Sequence, residues 1–452
     1  MKLGGRFPGL AIACLILAAL SGFLYWSNRH PKSDEAVTPA TPAAPTILNV
    51  DSGKVTGVTL KVKGQPGVTL AKQSGAWQIT APQSVAADQE QVSMLLSALA
   101  PLTAQEVVAT SGQPGGGQSS ELSRFGLDSP SMEVDIEQKG KPAQRLLFGD
   151  DTPVGGNAYA MLAGDPRIFT VSGDSKRQLD KTEMDLRDKR LITISSDKMT
   201  SIELNHGGQT IVLARTGSGW ALEKPEAYRT DSIAADTLAD TLAGAQMQTT
   251  QPDAKDAEAG FARGTPVATV KVTGPAGTQT LEVRKDKNGK NGAAEYAKSS
   301  VVAGIYQVDS SLGDGLDKTV DDFRNKQLFD FGDNDPDSID LEGTDPKISL
   351  AAVHNAQGWW QNGKKADSDS IEAVVSGLRS LTATKFATAG FAAPVLAITV
   401  TSKDGKLVEK AEIARSGDNY LARRAGDPSL YVLDAGSIEG ILTSAKAVKP
   451  AR

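Results

Sequence analysis

Histidine and cysteine, the side chains that most often perform catalysis near neutral pH, are scarce in this chain. It has one cysteine, Cys14, and three histidines, His30, His206 and His354. Neither His206 nor His354 has a cysteine, a second histidine or a nucleophile motif beside it, although zinc sites and imidazole bases need such companions. Because Cys14 stands alone, no internal disulfide can form. We therefore predict a non-enzyme, with no catalytic, metal-binding or cofactor-binding residues.

One acidic stretch has a spacing that resembles a calcium loop. It consists of Asp330, Asp333, Asp335, Asp337 and Asp340. An EF-hand loop requires glycine at its sixth position and glutamate at its twelfth. Counted from Asp333, those positions hold Ser338 and Thr344. We interpret the stretch as an exposed linker with Pro336 in a turn, and an irregular calcium site is the alternative.

Charge and glycine patterns argue against nucleotide and nucleic-acid binding. The formal net charge is −6 and the isoelectric point is near 5.4, whereas phosphate-binding surfaces are rich in Lys and Arg. The chain has no P-loop, no dinucleotide-binding glycine motif and no G-x-S-x-G turn. The densest basic run, residues 284–292, contains two Asn-Gly pairs, which are typical of a hairpin tip. We favour a solvated turn, and a docking knob for an acidic partner is the alternative.

Tryptophan follows a glycine-containing turn at three places along the chain, namely Trp77, Trp220 and Trp359. A large aromatic side chain in the same place is what the core of each small domain needs, so we expect each to pack beneath its own helix. Trp360 directly follows Trp359, and neighbouring side chains on a strand point to opposite faces. We therefore predict that Trp360 faces away from the core, and we name it as the candidate contact for a partner.

A repeated order of elements must position these aromatic side chains. Each tryptophan belongs to a predicted β-hairpin, and a helix with apolar residues at i, i+3, i+4 and i+7 spacing follows it. We expect Asp88, Asp231 and Asp369 to cap the first turns of these helices. Gln91 and Glu372 stand three residues after the first and last of them, which predicts two capping boxes.

A phenylalanine-to-proline segment and an alternating strand complete each copy. The segments begin at Phe125, Phe261 and Phe391. The tyrosines that follow at matching places are Tyr159, Tyr296 and Tyr420. The copies are far longer than the roughly 20–50-residue repeats of solenoids, so we expect each to be a domain with its own core. Connectors at 185–189 and 322–326 match each other, and we expect the third copy to lack one.

The N-terminal segment predicts a membrane anchor. Residues 10–26 are uncharged and apolar, and Lys2 and Arg6 precede them. A spanning helix needs about 17–25 residues, whereas a secretory signal usually has a shorter apolar core of about 7–15 residues. We predict a retained signal anchor, with a cleaved signal peptide or a lipoprotein modified at Cys14 as alternatives. The basic residues before the run favour export of the bulk of the chain.

These patterns predict an α+β protein in which an N-terminal transmembrane helix is followed by three related domains. Each domain is expected to be an antiparallel sheet, made of a hairpin and further hairpins, with a helix on one face. The predicted segments are a cytoplasmic N-terminus at 1–9, the transmembrane helix at 10–26, a Pro/Ala/Thr-rich stalk at 27–48, and repeat domains at 49–192, 193–331 and 332–452.

The anchor, the strand–Gly-Trp–Asp-helix unit and its repetition resemble the bacterial family called "domain of unknown function 4340". The resemblance covers essentially the whole exported chain. Members of that family resemble accessory proteins encoded near gliding-motility-type ABC transporter components, which implies a role in the cell envelope. The family has no established catalytic residues, so the resemblance implies none here.

Three hypotheses for function follow. The favoured one is a scaffold or accessory protein, anchored in the inner membrane with its bulk periplasmic, that contacts an ABC transporter complex or another envelope protein. The alternative is a binding module for carbohydrate or peptide that uses exposed aromatic side chains such as Trp360. A hydrolase that uses scattered carboxylates ranks last, because paired carboxylates meet only in the folded chain.

Overall fold

The computed structural model describes residues 45–110, 118–217, 219–289 and 292–451. The predicted cytoplasmic N-terminus and transmembrane helix, and most of the predicted stalk, lie outside these residues, as does the glycine-rich segment 111–117. Within the described ranges no helix has the length and apolar composition needed to cross a bilayer.

The chain divides into two compact units, Met1–Arg187 and Asp188–Arg452. The first unit contains one large antiparallel sheet, which we name sheet I, and the second contains two, sheets II and III. A small two-stranded sheet completes the first unit. The division into three domains with boundaries at 192 and 331 stays a prediction.

The first unit is built of eleven strands and four helices among its described residues. The strands are β1 (Thr46–Leu48), β2 (Val55–Val62), β3 (Val68–Gln73), β4 (Ala76–Ala81), β5 (Val85–Ala86), β6 (Leu102–Thr103), β7 (Glu106–Thr110), β8 (Met132–Gln138), β9 (Gln144–Asp151), β10 (Asn157–Leu162) and β11 (Arg167–Ser172). The helices are α1 (Gln89–Leu99), α2 (Gln118–Arg124), α3 (Gly173–Leu179) and α4 (Glu183–Leu186).

The end of the predicted stalk is folded into this unit. Thr46–Leu48 forms β1, which pairs with β6, and the side chains of Ile47 and Leu48 are buried. Burial of large apolar side chains such as these stabilises a folded core. These residues therefore belong to the folded unit, and the stalk prediction is wrong for them.

The second unit begins with the elements of sheet II. Its strands are β12 (Ser201–His206), β13 (Gln209–Thr216), β14 (Gly219–Lys224), β15 (Thr265–Gly274), β16 (Gly277–Gly289), β17 (Gly292–Ser299) and β18 (Ile305–Val308). Its helices are α5 (Ser232–Ala243), α6 (Ala254–Arg263) and α7 (Ser310–Leu316).

Sheet III and two longer helices complete the second unit. The strands are β19 (Ser338–Thr344), β20 (Lys347–Asn355), β21 (Gly358–Gln361), β22 (Lys364–Lys365), β23 (Lys385–Ala387), β24 (Leu396–Ser402), β25 (Leu407–Ser416), β26 (Asn419–Arg424) and β27 (Leu430–Asp434). The helices are α8 (Ser368–Arg379) and α9 (Ala435–Lys446). Three short 3-10 turns lie at Ser52–Lys54, Ser196–Lys198 and Val320–Asp322.

The three large sheets share one strand order. The shared orders are β4-β3-β2-β8-β9-β10-β11, β14-β13-β12-β15-β16-β17-β18 and β21-β20-β19-β24-β25-β26-β27. In each, three strands form a meander, a helix follows, and four more strands continue the sheet from its middle. This order confirms an α+β fold made of antiparallel sheets with helices.

The main helix of each sheet buries one apolar face. Leu95 and Leu99 of α1, Leu238 and Leu242 of α5, and the corresponding residues of α8 are almost inaccessible to water. The i, i+3, i+4 spacing therefore predicts these helices correctly, because residues at that spacing share a face.

Aspartate caps all three main helices, but in the third helix it is not the predicted residue. Asp88 accepts hydrogen bonds from the Glu90 and Gln91 N–H groups, and Asp231 caps α5 in the same way. In α8 the cap is Asp367, whose carboxylate accepts the Ser370 N–H, so the prediction of Asp369 and its capping box is wrong. Residue 366 is held in an extended bridge with Pro450, which fixes the helix start two residues earlier.

A returning segment bonds to the backbone of each capping aspartate. The N–H of Asp88 donates to the Leu186 carbonyl, that of Asp231 to the Phe323 carbonyl and that of Asp367 to the Lys449 carbonyl, over 2.8, 2.8 and 2.9 Å. Leu186 and Phe323 belong to the predicted connectors. In the third copy, for which no such connector is expected, Lys449 supplies the equivalent carbonyl.

Candidate functional site

The neighbouring tryptophans of β21 lie on opposite faces of sheet III. Trp359 is buried in the core, with the His354 ring 4.8 Å from it, centroid to centroid. Trp360 is half-buried on the other face, as the alternation of side chains on a strand predicts. Trp77 and Trp220 are also buried, and the Trp220 indole N–H donates to Asp236 of α5 over 2.8 Å.

Trp360 begins a row of side chains across the open face of sheet III. Cross-strand pairing joins Lys365 to Trp360, Trp360 to Val353, Val353 to Ser338, Ser338 to Thr401 and Thr401 to Val408. We name these six residues the Trp360 strip. Residues directly opposite each other on antiparallel strands have neighbouring side chains, so the strip is a continuous surface.

Large apolar side chains in the strip are exposed to solvent. Val353 is 53% exposed and Val408 is 50% exposed, and the small side chains of Ser338 and Thr401 lie between them. The Trp360 indole N–H donates to the Asn355 side-chain oxygen over 3.2 Å, which orients the ring. An ordered aromatic flanked by exposed valines is suited to burial against another molecule.

The equivalent rows of the other two sheets lack these large side chains. In sheet II the residues at the places of Trp360, Val353 and Val408 are Ala221, Ala214 and Thr278. In sheet I, Gln78 and Ala71 stand where Trp360 and Val353 stand in sheet III. The core tryptophans are shared by all three sheets, whereas the strip is particular to one, so the fold itself does not require it.

The tyrosines predicted at matching places do match in sheets I and II, but in sheet III the matching residue is the one after the predicted tyrosine. Tyr159 packs edge-on against Phe125, and Tyr296 packs with Phe261 on the corresponding face of sheet II. Tyr420 instead belongs to the core, and its neighbour Leu421 takes the matching place near Gly390. A shift of one residue moves a side chain to the opposite face of a strand, which explains the difference.

Charged side chains beneath sheet III form two buried groups that the sequence does not reveal. In the first, the Arg424 guanidinium is 2.5 Å from the Glu409 carboxylate and donates to the Leu328 carbonyl over 2.6 Å. Both Glu409 oxygens accept the Asp330 N–H. These bonds satisfy a carboxylate that is otherwise inaccessible to water, and they join residues 328–330 to strands β25 and β26 of sheet III.

The second group joins the copies that contain sheets II and III. The Tyr431 hydroxyl donates to Asp427 over 2.6 Å, and the Arg229 guanidinium donates to Tyr431 and to the Gln327 carbonyl. Burial, assisted by Asp427, raises the pKa of Tyr431 to about 12. Burial opposes ionisation of Asp427, but hydrogen bonds from Tyr431 and Ser429 lower the pKa of that carboxyl.

Arg324 lies beside this second group. Its guanidinium carbon is 3.6 Å from the ring centroid of Phe386 and 4.1 Å from that of Tyr228. Arg324 belongs to the connector at 322–326, and Phe386 lies in β23 of sheet III. Stacking of a guanidinium between two aromatic rings fixes the connector against both copies.

The two described histidines, His206 and His354, make contacts with neighbouring parts of the second unit. His206 Nδ1 is 2.7 Å from the Val267 carbonyl and Nε2 is 2.9 Å from the Asp317 carboxylate, and no nucleophile is among these contacts. His354 packs on Trp359 and lies 4.0 Å from Asp335. Both rings therefore have structural contacts that account for their positions.

The residues of the acidic stretch and of the basic run make separate contacts with different parts of the structure. Asp337 accepts the Gly405 N–H and Asp335 lies near Arg379, so the acidic residues do not converge. Within residues 45–110, 118–217, 219–289 and 292–451, no three His, Cys, Asp or Glu side chains are grouped to hold a metal ion. The basic run continues as β16 up to Gly289, with Asp286 buried against Arg263, so its first half is strand rather than turn.

Comparison with known proteins gives one result. The model of the family described as "Domain of unknown function (DUF4340)" matches residues 77–263 and 220–397, which together span well over half of the chain. No curated protein and no solved structure matches the chain. The two matches begin at Trp77 and Trp220, which are the equivalent core tryptophans of sheets I and II.

The two matches thus repeat in step with the sheets, which supports a duplicated architecture. With the greater part of its length matched by that model, the chain belongs to the DUF4340 family.

Proposed function

We propose that the protein is a membrane-anchored, non-enzymatic scaffold or accessory protein of the cell envelope, and that the Trp360 strip binds a protein partner. The observation that carries the proposal is the restriction of the strip to sheet III. Tryptophan is enriched at the energetic centres of protein interfaces, and a flat face with exposed valines beside it offers area that a partner can bury.

The anchor and the location are part of the same proposal. The apolar run at 10–26 supports a retained helix in the inner membrane with the bulk of the chain periplasmic or otherwise extracytoplasmic. Deletion of 10–26 is expected to move the protein from the membrane fraction to the soluble fraction. Continued sedimentation of the deleted form with membranes would contradict the anchor.

The resemblance noted from the sequence implies a partner in an ABC-transporter-associated complex. The test places a photo-crosslinking amino acid at Val353 in the full chain within native membranes. The matched control places it at Ala214, which occupies the same position in sheet II. We expect a defined membrane-protein adduct at 353 and none at 214, and Trp360→Ala should remove the adduct. Equal crosslinking at both positions, or none at 353, would refute the role of the strip.

The second candidate is a binding module for carbohydrate or peptide. It rests on the contact of the Trp360 indole with Asn355, since an oriented ring beside a side-chain amide can stack on a sugar and hydrogen-bond its hydroxyl groups. Glycan fragments would then change tryptophan fluorescence in the wild type but not in Trp360→Ala. Unchanged spectra across a panel of such fragments would contradict this second candidate, and the scaffold proposal would remain.

A further inference from the structure

The strand β7 forms one edge of sheet I in the part of the chain that the structure describes. It pairs with β11, and within the described residues no other strand or bridge pairs with it. The register shifts between Ile168 and Phe169, so that Val108 is an extra residue without a partner in β11. An edge strand leaves a row of N–H and C=O groups ready to pair with another strand.

The composition of β7 favours such pairing. Its sequence, Glu-Val-Val-Ala-Thr, has no lysine, arginine or proline. Val107 is 39% exposed and Val108 is 36% exposed, so two β-branched side chains of this strand are accessible at the surface. Proteins limit the association of edge strands with charged residues, proline, bulges and short strands. β7 has Glu106 and the bulge at Val108, but it has no lysine, arginine or proline.

The corresponding edge of sheet II is closed by a short backbone bridge together with side chains. Met247 is bridged antiparallel to Val308, and the Gln248 N–H donates to the Gln307 carbonyl over 2.9 Å. The Gln251 amide accepts the Gln307 N–H over 2.7 Å and donates to the Gln307 carbonyl over 2.9 Å. The Gln248 side chain donates to the Val308 carbonyl. The outer side of β18 is therefore bonded by the backbone of residues 247–248 and by two glutamine side chains.

The corresponding edge of sheet III is short and charged. Its strand β23 has only three residues, Lys385–Ala387, and the Arg324 guanidinium covers the Phe386 ring. Lys385 is exposed on this strand. Among these three edges, as far as the structure describes them, β7 is the one that exposes large apolar side chains.

We propose that β7 is a self-association site, at which the β7 strands of two copies of this chain pair antiparallel about a two-fold axis near Val108. Such pairing places Glu106 of each copy opposite Thr110 of the other and Val107 opposite Ala109. No like charges meet, and β-branched residues face each other across the junction, which favours antiparallel pairing. The strand is therefore complementary to itself, and the occupant it fits is a second copy.

The test uses cysteine crosslinking of the full chain in detergent. Because Cys14 is the only cysteine, the Cys14→Ser background allows a single thiol at Val108→Cys. The matched control is Val154→Cys, which is 85% exposed in the same unit but lies between β9 and β10. Thiols held together at the axis have a high effective concentration, so we expect disulfide-linked dimer from the 108 variant at least about tenfold faster than from the control.

A second variant separates this interface from any other dimer contact. Val108→Lys puts a charge at the axis, and its exposed site should preserve the fold, which circular dichroism checks. In light scattering over a concentration series, we expect the wild type to approach the mass of two chains and the Lys variant to remain at one. A monomeric wild type, a dimer that persists in the Lys variant, or equal crosslinking at 108 and 154 would overturn the proposal.

Discussion

At the scale of single residues, Tyr431 lies in surroundings that oppose its ionisation. Its ring is fully buried, and its hydroxyl lies between Asp427 and Arg229. The neutral phenol can donate to Asp427, whereas a buried phenolate would lie against that carboxylate. This arrangement raises the pKa and makes the folded state prefer the protonated tyrosine.

Alkaline pH is therefore expected to weaken the fold through this residue. The pKa rises from 10.0 in the unfolded chain to about 12 in the folded one. A raised pKa means that the contribution is fully present below pH 10 and is lost as pH rises toward 12, because the unfolded chain ionises first. About two pKa units correspond to about 3 kcal/mol.

Tyr431→Phe isolates this contribution. Denaturant unfolding at several pH values should show a smaller alkaline loss of stability in the variant than in the wild type. Absorbance titration should also lose its last tyrosinate step. An identical alkaline loss in both proteins would contradict the assignment.

The strip and the buried tyrosine differ in how far they can be predicted from sequence. Adjacent tryptophans on a strand must point to opposite faces, so the outward position of Trp360 follows from two neighbouring letters. Arg229 and Tyr431 are 202 positions apart, and only the packing of two copies brings them together. No local pattern marks such a pair, and the neighbours of Trp360 likewise depend on the strand register.

At the scale of elements, the caps of α5 and α6 provide a controlled comparison. Asp231 accepts the Ile233 and Ala234 N–H groups, whereas Asp253 stands before α6 without a side-chain capping bond. Asp231→Ala is expected to lower the free energy of unfolding by about 1 kcal/mol. Asp253→Ala should have much less effect, as measured by urea denaturation, and equal losses would contradict the role of the carboxylate bond.

Close packing of α8 against α9 depends on one glycine. A methyl group at Gly377 would lie 2.8 Å from Cγ1 of Ile441, whereas one at Gly440 would meet no atom within 4 Å. Gly377→Ala is expected to separate the helices and destabilise the fold by about 1–3 kcal/mol. Gly440→Ala should be stabilising by about 0.5–1 kcal/mol, since alanine favours the helix. Thermal melts should show a lower melting temperature for Gly377→Ala and a higher one for Gly440→Ala. A change in the same direction in both variants would refute the packing argument.

The helices and their apolar faces can be predicted from spacing, but their ends depend on tertiary contacts. The first turn of α8 offers two aspartates, Asp367 and Asp369, and both satisfy a local capping pattern. The bond from the Asp367 N–H to the Lys449 carbonyl decides between them. Residue 449 comes from the far end of the copy, so sequence near the helix cannot reveal the choice.

At the scale of the whole second unit, Arg229 links Gln327, the residue after the connector, to Tyr431 of sheet III. Its guanidinium donates to the Gln327 carbonyl over 2.6 Å. Hydrogen bonds from charged groups contribute about 1.5–3 kcal/mol, and Arg229→Ala also removes a partner of Tyr431. We expect faster hydrogen exchange at residues 326–328 and a loss of stability in that range.

Arg423→Ala is the matched control for this change. Arg423 pairs with Glu412 on the surface, and both side chains are more than half exposed. Exposed ion pairs contribute about 0–1 kcal/mol, so exchange at 326–328 should not change. Similar exchange in the two variants would show that the junction does not depend on Arg229.

The repetition can be recognised from sequence because it lies in core positions that every copy must fill. The tryptophan, the capping aspartate and the apolar helix stripe recur for that reason, and they indicate the shared strand order. The extra edge strands β7 and β23, and the single bridge and glutamine side chains that take their place in sheet II, cannot be predicted in the same way. They vary among the copies because an edge can be satisfied by several means.

The strand order also has a practical consequence for protein production. A fragment cut at the family match, residues 77–263, would start inside β4 and end with α6. It would lack β2, which pairs with both β3 and β8 at the middle of sheet I, and every strand of sheet II after β14. Heterologous expression of that fragment should yield insoluble material, whereas residues 45–187 retain a complete sheet and are the better choice for crystallisation or NMR.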